Sequence, residues 1–271
     1  MITKRVYFDN INKDVYLDIY VADRLSDFTR KAILVLPGGG YGAVSSSREG
    51  EPIAMAFIPH GYNAFVLHYT VGRKKTYPSQ LLEASMAMKY IKEHANEFNI
   101  DPEKVFVVGF SAGGHLAGSL GIMWHKEEIY QAIDMHYGYN KPAGMMLIYP
   151  VVSGVAAYSH AGSFKNLLGT DSPEKERLAE CSLELNVSKE SVPLFLVHSS
   201  NDHTVDVRNS LCLAEKYKEE GLLFEMHIYP DSPHGFALSN SITHCGVKKW
   251  QNPAIAKWVE HAVEWAEGIS L

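Results

Sequence analysis

One short stretch, Gly109-Phe110-Ser111-Ala112-Gly113-Gly114-His115, restricts what this chain can fold into more than any other part of its 271 residues. It carries the pattern G-x-S-x-G. It follows the apolar run Val105 to Val108, which is too short for an independent helix and suits a strand covered on both faces. Directly after it comes the helical stretch Leu116-Ala117-Gly118-Ser119-Leu120. A sharp strand-to-helix turn strains its central residue and brings the two backbones close together, so the positions two before and two after that residue must lack side chains. Both are glycine here. Such a turn holds Ser111 at a helix N-terminus, where the N–H of Ala112 can face a developing negative charge. A glycine-rich connector would share the bare pattern; its place between a buried strand and a helix sets this one apart.

The rest of the chain supplies the sheet that such a turn needs. Val6, Phe8, then Val15, Leu17, Ile19 and Val21 alternate with polar residues around Asn10 to Asp14, which predicts an N-terminal antiparallel hairpin. Further strands are expected at Ala32 to Leu36, Ala64 to Tyr69, Met145 to Tyr149, Leu194 to Val197 and Phe224 to Tyr229. Helices are expected after Pro78, where Leu81, Leu82, Ser85, Met88 and Ile91 share one face, at Val207 to Glu220, and at Ile255 to Trp265. Alternating strands and helices make a mainly parallel central sheet with helices on both faces. The expectation is one domain over residues 1–271. Residues 151–192, rich in Ser, Gly and Ala, break the rhythm as a small insertion over one end of the sheet, with a helix within Asp171 to Glu180.

Composition removes several functions. With 46% hydrophobic and 21% charged residues, a chain of this size can bury roughly 70–75% of its unfolded surface without staples. The net charge is −6 and no basic block occurs, so nucleic acid and anionic membranes are poor partners. Cys181, Cys212 and Cys245 are odd in number and in no CxxC spacing, which reads as free thiols in a reducing compartment and no zinc site. The first ten residues carry charge and amide rather than an apolar core. No apolar run approaches the ~18–20 residues of a membrane span. A cytoplasmic protein is expected.

Reactive groups in an open parallel sheet gather at the carboxyl ends of its strands. A serine hydroxyl needs a base to take its proton and a carboxylate to hold that base, and in this arrangement the chain order is serine, acid, histidine. Asp202 stands in the turn after the strand Leu194 to Val197, and His234 in the loop after Phe224 to Tyr229. Asp206 is a rival acid, but its place suits a helix first turn. Asp231 suits a turn before Pro233. Of 13 histidines, His115, His198 and His203 flank the site and read as structural or pocket-lining. The segment Pro37-Gly38-Gly39-Gly40-Tyr41-Gly42 can present backbone N–H groups from the end of an early strand. No G-K-[ST] and no G-x-G-x-x-G helix start accompany it, which removes the nucleotide readings.

Together these residues resemble the α/β-hydrolases of the carboxylesterase and acetyl-xylan-esterase-like group, including the xylanase B-like sugar-ester hydrolases. The likeness runs from about Ala32 to Phe236. It is carried by Leu36-Pro37-Gly38-Gly39-Gly40-Tyr41, Asp101-Pro102-Glu103-Lys104-Val105, Gly109 to Ala117, Asp202 and His234-Gly235. It implies Ser111 as nucleophile, His234 as base and then acid, Asp202 as the orienting carboxylate, and the N–H groups of Gly39, Gly40 and Ala112 as oxyanion donors, with no cofactor and no metal. Lipase-type relatives carry His where this chain has Pro37, which shapes the loop without entering the chemistry.

The resemblance implies two-step acyl transfer on an ester. The small insertion leaves the site lightly covered, which suits a short acyl group such as acetyl on a bulky alcohol such as a sugar. Tyr41, Tyr69, Tyr137, Tyr139, Tyr149 and Tyr158 are candidates to stack on a sugar ring, with core or rim packing as the plainer role of each. An amide or small-peptide hydrolase, an arylformamidase or a thioesterase would use the same triad. A substrate-amine clamp would call on Glu49 and Glu51, which otherwise open the helix after the glycine loop. A non-catalytic binding protein and a homodimer through an edge strand or the last helix, with Trp258 and Trp265, complete the alternatives.

Overall fold

Alternating side chains along each strand decide how the layers assemble. In the computed structural model, which describes residues 2–8, 13–25 and 27–269, eight strands form one sheet: β1 (Ile2–Tyr7), β2 (Tyr16–Val21), β3 (Arg30–Leu36), β4 (Tyr62–His68), β5 (Ile100–Phe110), β6 (Met145–Ile148), β7 (Leu194–Ser199) and β8 (Phe224–Tyr229). Their order across the sheet is β1-β2-β4-β3-β5-β6-β7-β8. β1 pairs antiparallel with β2, and β2 antiparallel with β4; every later pairing is parallel. The expected hairpin is therefore present, with Tyr7 opposite Tyr16. Asn10 to Asn12 of its expected turn lie outside the described residues.

The helices are α1 (Ser46–Glu49), α2 (Glu51–Phe57), α3 (Ser79–Glu93), α4 (Ala95–Phe98), α5 (Ala112–Met123), α6 (Glu127–Ala132), α7 (Ala161–Leu168), α8 (Lys175–Cys181), α9 (Arg208–Glu219) and α10 (Trp258–Gly268). On β3, Ala32, Leu34 and Leu36 face the layer built by α3, α5 and α9, while Ile33 and Val35 face α2 and α10. The same two-residue period sends Val105 and Val107 of β5 to one layer and Phe106, Val108 and Phe110 to the other. Both faces are covered, which is why these strands read as unbroken apolar runs. Trp258 is fully buried against Phe57 and Phe110, and its Nε1–H donates to the Ala237 carbonyl at 2.9 Å. Replacing it by alanine would cost about 3–5 kcal/mol. Trp265 is also in the core, so neither tryptophan lies on an outer face of α10.

Some boundaries differ from expectation. β5 begins at Ile100, five residues ahead of the apolar run, because Arg30 pairs with Ile100 before a register shift brings Ala32 opposite Val105. Only Lys175–Cys181 of the charged 171–180 patch is helical, since Pro173 interrupts the chain just before it. α7 was not anticipated at all. The last helix opens with a 3₁₀ turn, Ile255–Lys257, before α10. Among the described residues no helix is long and apolar enough to cross a membrane, and no group of three or more His, Cys, Asp or Glu side chains is placed to hold a metal ion. The three cysteines are free.

Candidate active site

Ser111 sits between β5 and α5 with φ 53° and ψ −117°, a backbone conformation that a non-glycine residue adopts only where its surroundings enforce it. Those surroundings are the two glycines. A Cβ on Gly109 would lie 2.1 Å from the Gly113 carbonyl oxygen, and one on Gly113 would lie 2.1 Å from that of Leu36. The Ser111 N–H donates to Ile148 on β6, and its carbonyl accepts from His115 and Val151. The strained turn is thus pinned to the neighbouring strand and to the first turn of α5.

His234 reaches this serine from the loop after β8. Its Nε2 is 2.8 Å from Ser111 Oγ and its Nδ1 is 2.6 Å from Asp202 Oδ2. Asp202 comes from the loop after β7, with its other carboxylate oxygen accepting the N–H groups of Thr204 and Val205 at 2.9 and 3.0 Å. The two loops are tied together by Ser232 N–H donating to Ser199 Oγ at 2.8 Å and by Asn201 Nδ2–H donating to Asp231. Three residues separated by up to 123 positions therefore form one hydrogen-bonded chain. Ser111 is 8% exposed and the His234 side chain 16%.

Burial by itself would raise the Asp202 carboxyl. Hydrogen bonds from His198 and His234, the charge of His234 and the Val205 N–H outweigh that and hold it well below the usual carboxylate range. His198 is completely buried next to it: Nε2–H donates to the Val205 carbonyl at 3.0 Å and lies 3.4 Å from Asp202 Oδ2, while Nδ1 accepts from Ser210 at 2.7 Å. The rival acids are elsewhere. Asp206 pairs with Arg208 ahead of α9, and Asp231 is exposed.

His115 is packed within α5, accepting from the Tyr41 hydroxyl at 2.8 Å and donating to the Cys181 carbonyl at 2.7 Å. Burial lowers its pKa to about 4, against the opposing pull of that carbonyl. His203 is exposed. Tyr41, Tyr69 and Tyr149 are fully interior, and Tyr137 stacks with Trp124 and Tyr130. The first three are removed from sugar stacking by burial, because no ring face reaches solvent.

Around the glycine loop, no protein acceptor among the described residues takes the N–H groups of Gly39, Gly40 or Ala112. The Gly38 N–H is spent on Glu49 Oε2 at 2.8 Å. Gly40 is held from the far side by α7, whose Asn166 donates to its carbonyl at 2.9 Å. His160, at the start of the same helix, donates or accepts with Ser163 at 2.8 Å and is lowered by burial and then by the charge of His234. Residues 151–192 therefore bring α7 against the site.

Sequence reasoning missed Arg48 and Trp250 and misplaced Glu49. Glu49 does not open a helix but ends α1 and turns inward, 4% exposed, where Tyr149 donates to its second oxygen at 2.7 Å; Glu51 does open α2. Arg48 donates to the Gly235 carbonyl at 2.5 Å and lies 3.8 Å from the Trp250 ring centre. Trp250 Nε1–H donates to the His234 carbonyl at 3.0 Å. No local pattern marks these residues, because each acts across a long loop.

A parallel sheet with a strained serine at its strand-to-helix turn, facing a histidine and a carboxylate from the last two strands, defines a carboxylesterase-like α/β-hydrolase. The chain belongs to the BD-FAE family, whose profile matches residues 17–217. It is 36% identical over 219 residues to endo-1,4-beta-xylanase B of Butyrivibrio fibrisolvens, covering 79% of this chain and 34% of that protein. It is 28% identical over 210 residues to an acetylxylan esterase of Xylanibacter ruminicola, covering 76% of this chain and 41% of that one. The chain thus spans well under half the length of these curated relatives. Among solved structures, an acetyl ester-xyloside bifunctional hydrolase from Caldicellulosiruptor lactoaceticus superposes with a TM-score of 0.80 at 33% identity, covering 96% of this chain and 90% of that one. The carboxylesterase Cest-2923 from Lactobacillus plantarum shares the fold, with a TM-score of 0.85 at 22% identity and coverage of 98% and 97%.

Proposed function

We propose that this chain is a serine carboxylic-ester hydrolase that cleaves short-acyl esters, acetyl esters of sugars or oligosaccharides above all, through an acyl-enzyme. The observation that carries the reading is the continuous chain Ser111 Oγ to His234 Nε2 at 2.8 Å and His234 Nδ1 to Asp202 at 2.6 Å, beside backbone N–H groups with no protein acceptor among the described residues. Ser111 Oγ attacks the ester carbonyl carbon while His234 Nε2 takes its proton. The carbonyl electrons move to oxygen, and the oxyanion accepts hydrogen bonds from the N–H groups of Ala112, Gly39 and Gly40; a single donor of this kind is worth roughly 10²–10³ in kcat. Collapse expels the alcohol, protonated by His234. A water molecule then gives a proton to His234 as its oxygen attacks the acyl carbon, and on collapse His234 returns that proton to Ser111 Oγ as the acid leaves.

The sugar alcohol is supported by the acetylxylan esterase and the acetyl ester-xyloside hydrolase among the similar proteins. The acetyl preference is supported by how little of Ser111 and His234 is exposed. In this reading 1–271 is one domain, and residues 151–192 are a small cover through α7 rather than a lid. A substrate-amine clamp is disfavoured, because both Glu49 carboxylate oxygens are engaged inside the protein.

The test is labelling by an organophosphonate followed by acetate release from acetylated xylo-oligosaccharides. Labelling of Ser111 with stoichiometric loss of acetate release supports the reading. Failure to label Ser111 favours a non-catalytic binding protein, and labelling without turnover of any acetylated sugar moves the substrate elsewhere.

A further inference from the structure

The short helix α1 holds both sides of the site through two adjacent residues. Glu49 takes the Gly38 N–H with one oxygen and the Tyr149 hydroxyl with the other. The Tyr149 hydroxyl oxygen in turn accepts the Ala237 N–H at 3.0 Å, three residues after His234, and the Tyr149 ring stands edge-on to the His234 imidazole with centroids 4.9 Å apart. Arg48 meanwhile grips the carbonyl of Gly235 and that of Thr243.

The donors around Glu49 match an ionised carboxylate. The Gly38 N–H can only donate, and the Tyr149 oxygen, which accepts from Ala237, has its one proton left to give. Both Glu49 oxygens therefore receive hydrogen bonds, and the ionised carboxylate is the form that accepts both with no proton of its own to place. Burial is the larger influence and raises the Glu49 carboxyl above its ordinary range, while the bonds from Tyr149 and Gly38 and the charge of His234 oppose that rise. Ionising a carboxylate this deeply buried is costly unless hydrogen bonds and nearby charge compensate it.

We propose that Glu49 is a positioning residue of the reaction: its carboxylate sets the loop bearing Gly39 and Gly40 in register with Tyr149 and His234, and its negative charge favours the imidazolium that forms as Ser111 attacks. The proposal rests on the serine-hydrolase reading above. The other titratable or charged groups facing His234 and Glu49 are Asp202, His160, Tyr149, Tyr69 and Arg48, and none of them is altered in the key variant.

Glu49→Gln keeps the size but presents its amide to either Gly38 or Tyr149, so one bond is lost and the charge is removed. For p-nitrophenyl acetate, kcat falls by about tenfold to a hundredfold while KM stays within about threefold. Removing an anion beside the imidazolium also moves the acid limb of kcat/KM toward lower pH. Tyr149→Phe keeps the charge and cuts the tie, so kcat falls and the acid limb stays in place. A Glu49→Gln enzyme with wild-type kcat, or with an unmoved acid limb, overturns the proposal. If Glu49→Gln does not fold, a Tyr149→Phe enzyme with wild-type kcat overturns it equally. Ser111→Ala measured alongside separates the two readings: activity retained there removes the serine mechanism itself, whereas activity lost there with Glu49→Gln unaffected removes only the role of Glu49.

Discussion

Asp202 Oδ2 and His234 Nδ1 meet at 2.6 Å, and this contact decides which nitrogen of the imidazole carries the proton. An ionised carboxylate only accepts, so Nδ1 donates and Nε2 keeps its lone pair toward the Ser111 hydroxyl. His198, 3.4 Å from the same carboxylate oxygen, helps keep it ionised.

Asp202→Asn therefore removes more than a charge. The amide can donate to Nδ1, which favours the opposite tautomer and turns a proton toward Ser111 rather than a lone pair. By the precedent of such triads kcat falls by about 10³–10⁴-fold with the fold intact. Steady-state kinetics on p-nitrophenyl acetate beside a far-ultraviolet circular dichroism spectrum measure this. A folded variant within tenfold of wild type would mean that another acid orients His234.

Trp250 lies far from Ser111 in sequence, but its Nε1–H holds the His234 carbonyl at 3.0 Å, with Arg48 against its ring. Trp250→Phe retains the ring and loses that bond. One neutral hydrogen bond is worth about 1 kcal/mol, so kcat drops about fivefold to tenfold with KM little changed. An equal rise in KM would place Trp250 in substrate binding rather than in support of His234.

His115 makes stability depend on pH. Burial lowers its pKa to about 4, whereas in the unfolded chain it titrates near ~6.5. Below that value the unfolded state binds a proton that the native state refuses. The stabilisation is complete above pH ~6.5 and is lost as pH falls toward 4, by on the order of 3 kcal/mol. Urea unfolding of wild type and His115→Asn between pH 7.5 and 4 tests the sign, because the stability gap between them narrows as pH falls. A constant gap would show that burial does not lower the His115 pKa in the native protein.

Much of this arrangement was legible in the sequence where the cause is local. The apolar run of β5, the paired glycines around Ser111 and the order of Asp202 and His234 each follow from a short-range steric or topological demand. The β1–β2 hairpin follows likewise from two-residue alternation. The supports were not legible. Glu49 sits in Ser46-Ser47-Arg48-Glu49, which reads as a solvated helix start, and its inward turn depends on Gly38 and Tyr149 arriving from other strands. Asn166 lies on α7, an eight-residue helix whose apolar spacing of Phe164, Leu167 and Leu168 is too short to mark it in the sequence, and its bond to Gly40 spans 126 positions.

The most direct test of the central claim is hydrolysis of p-nitrophenyl acetate, butyrate and octanoate by wild type and Ser111→Ala at one pH and one protein concentration. The account predicts that acetate is fastest and that Ser111→Ala loses on the order of 10³-fold or more. Wild-type inactivity on all three esters, or a Ser111→Ala protein as active as wild type, would contradict it.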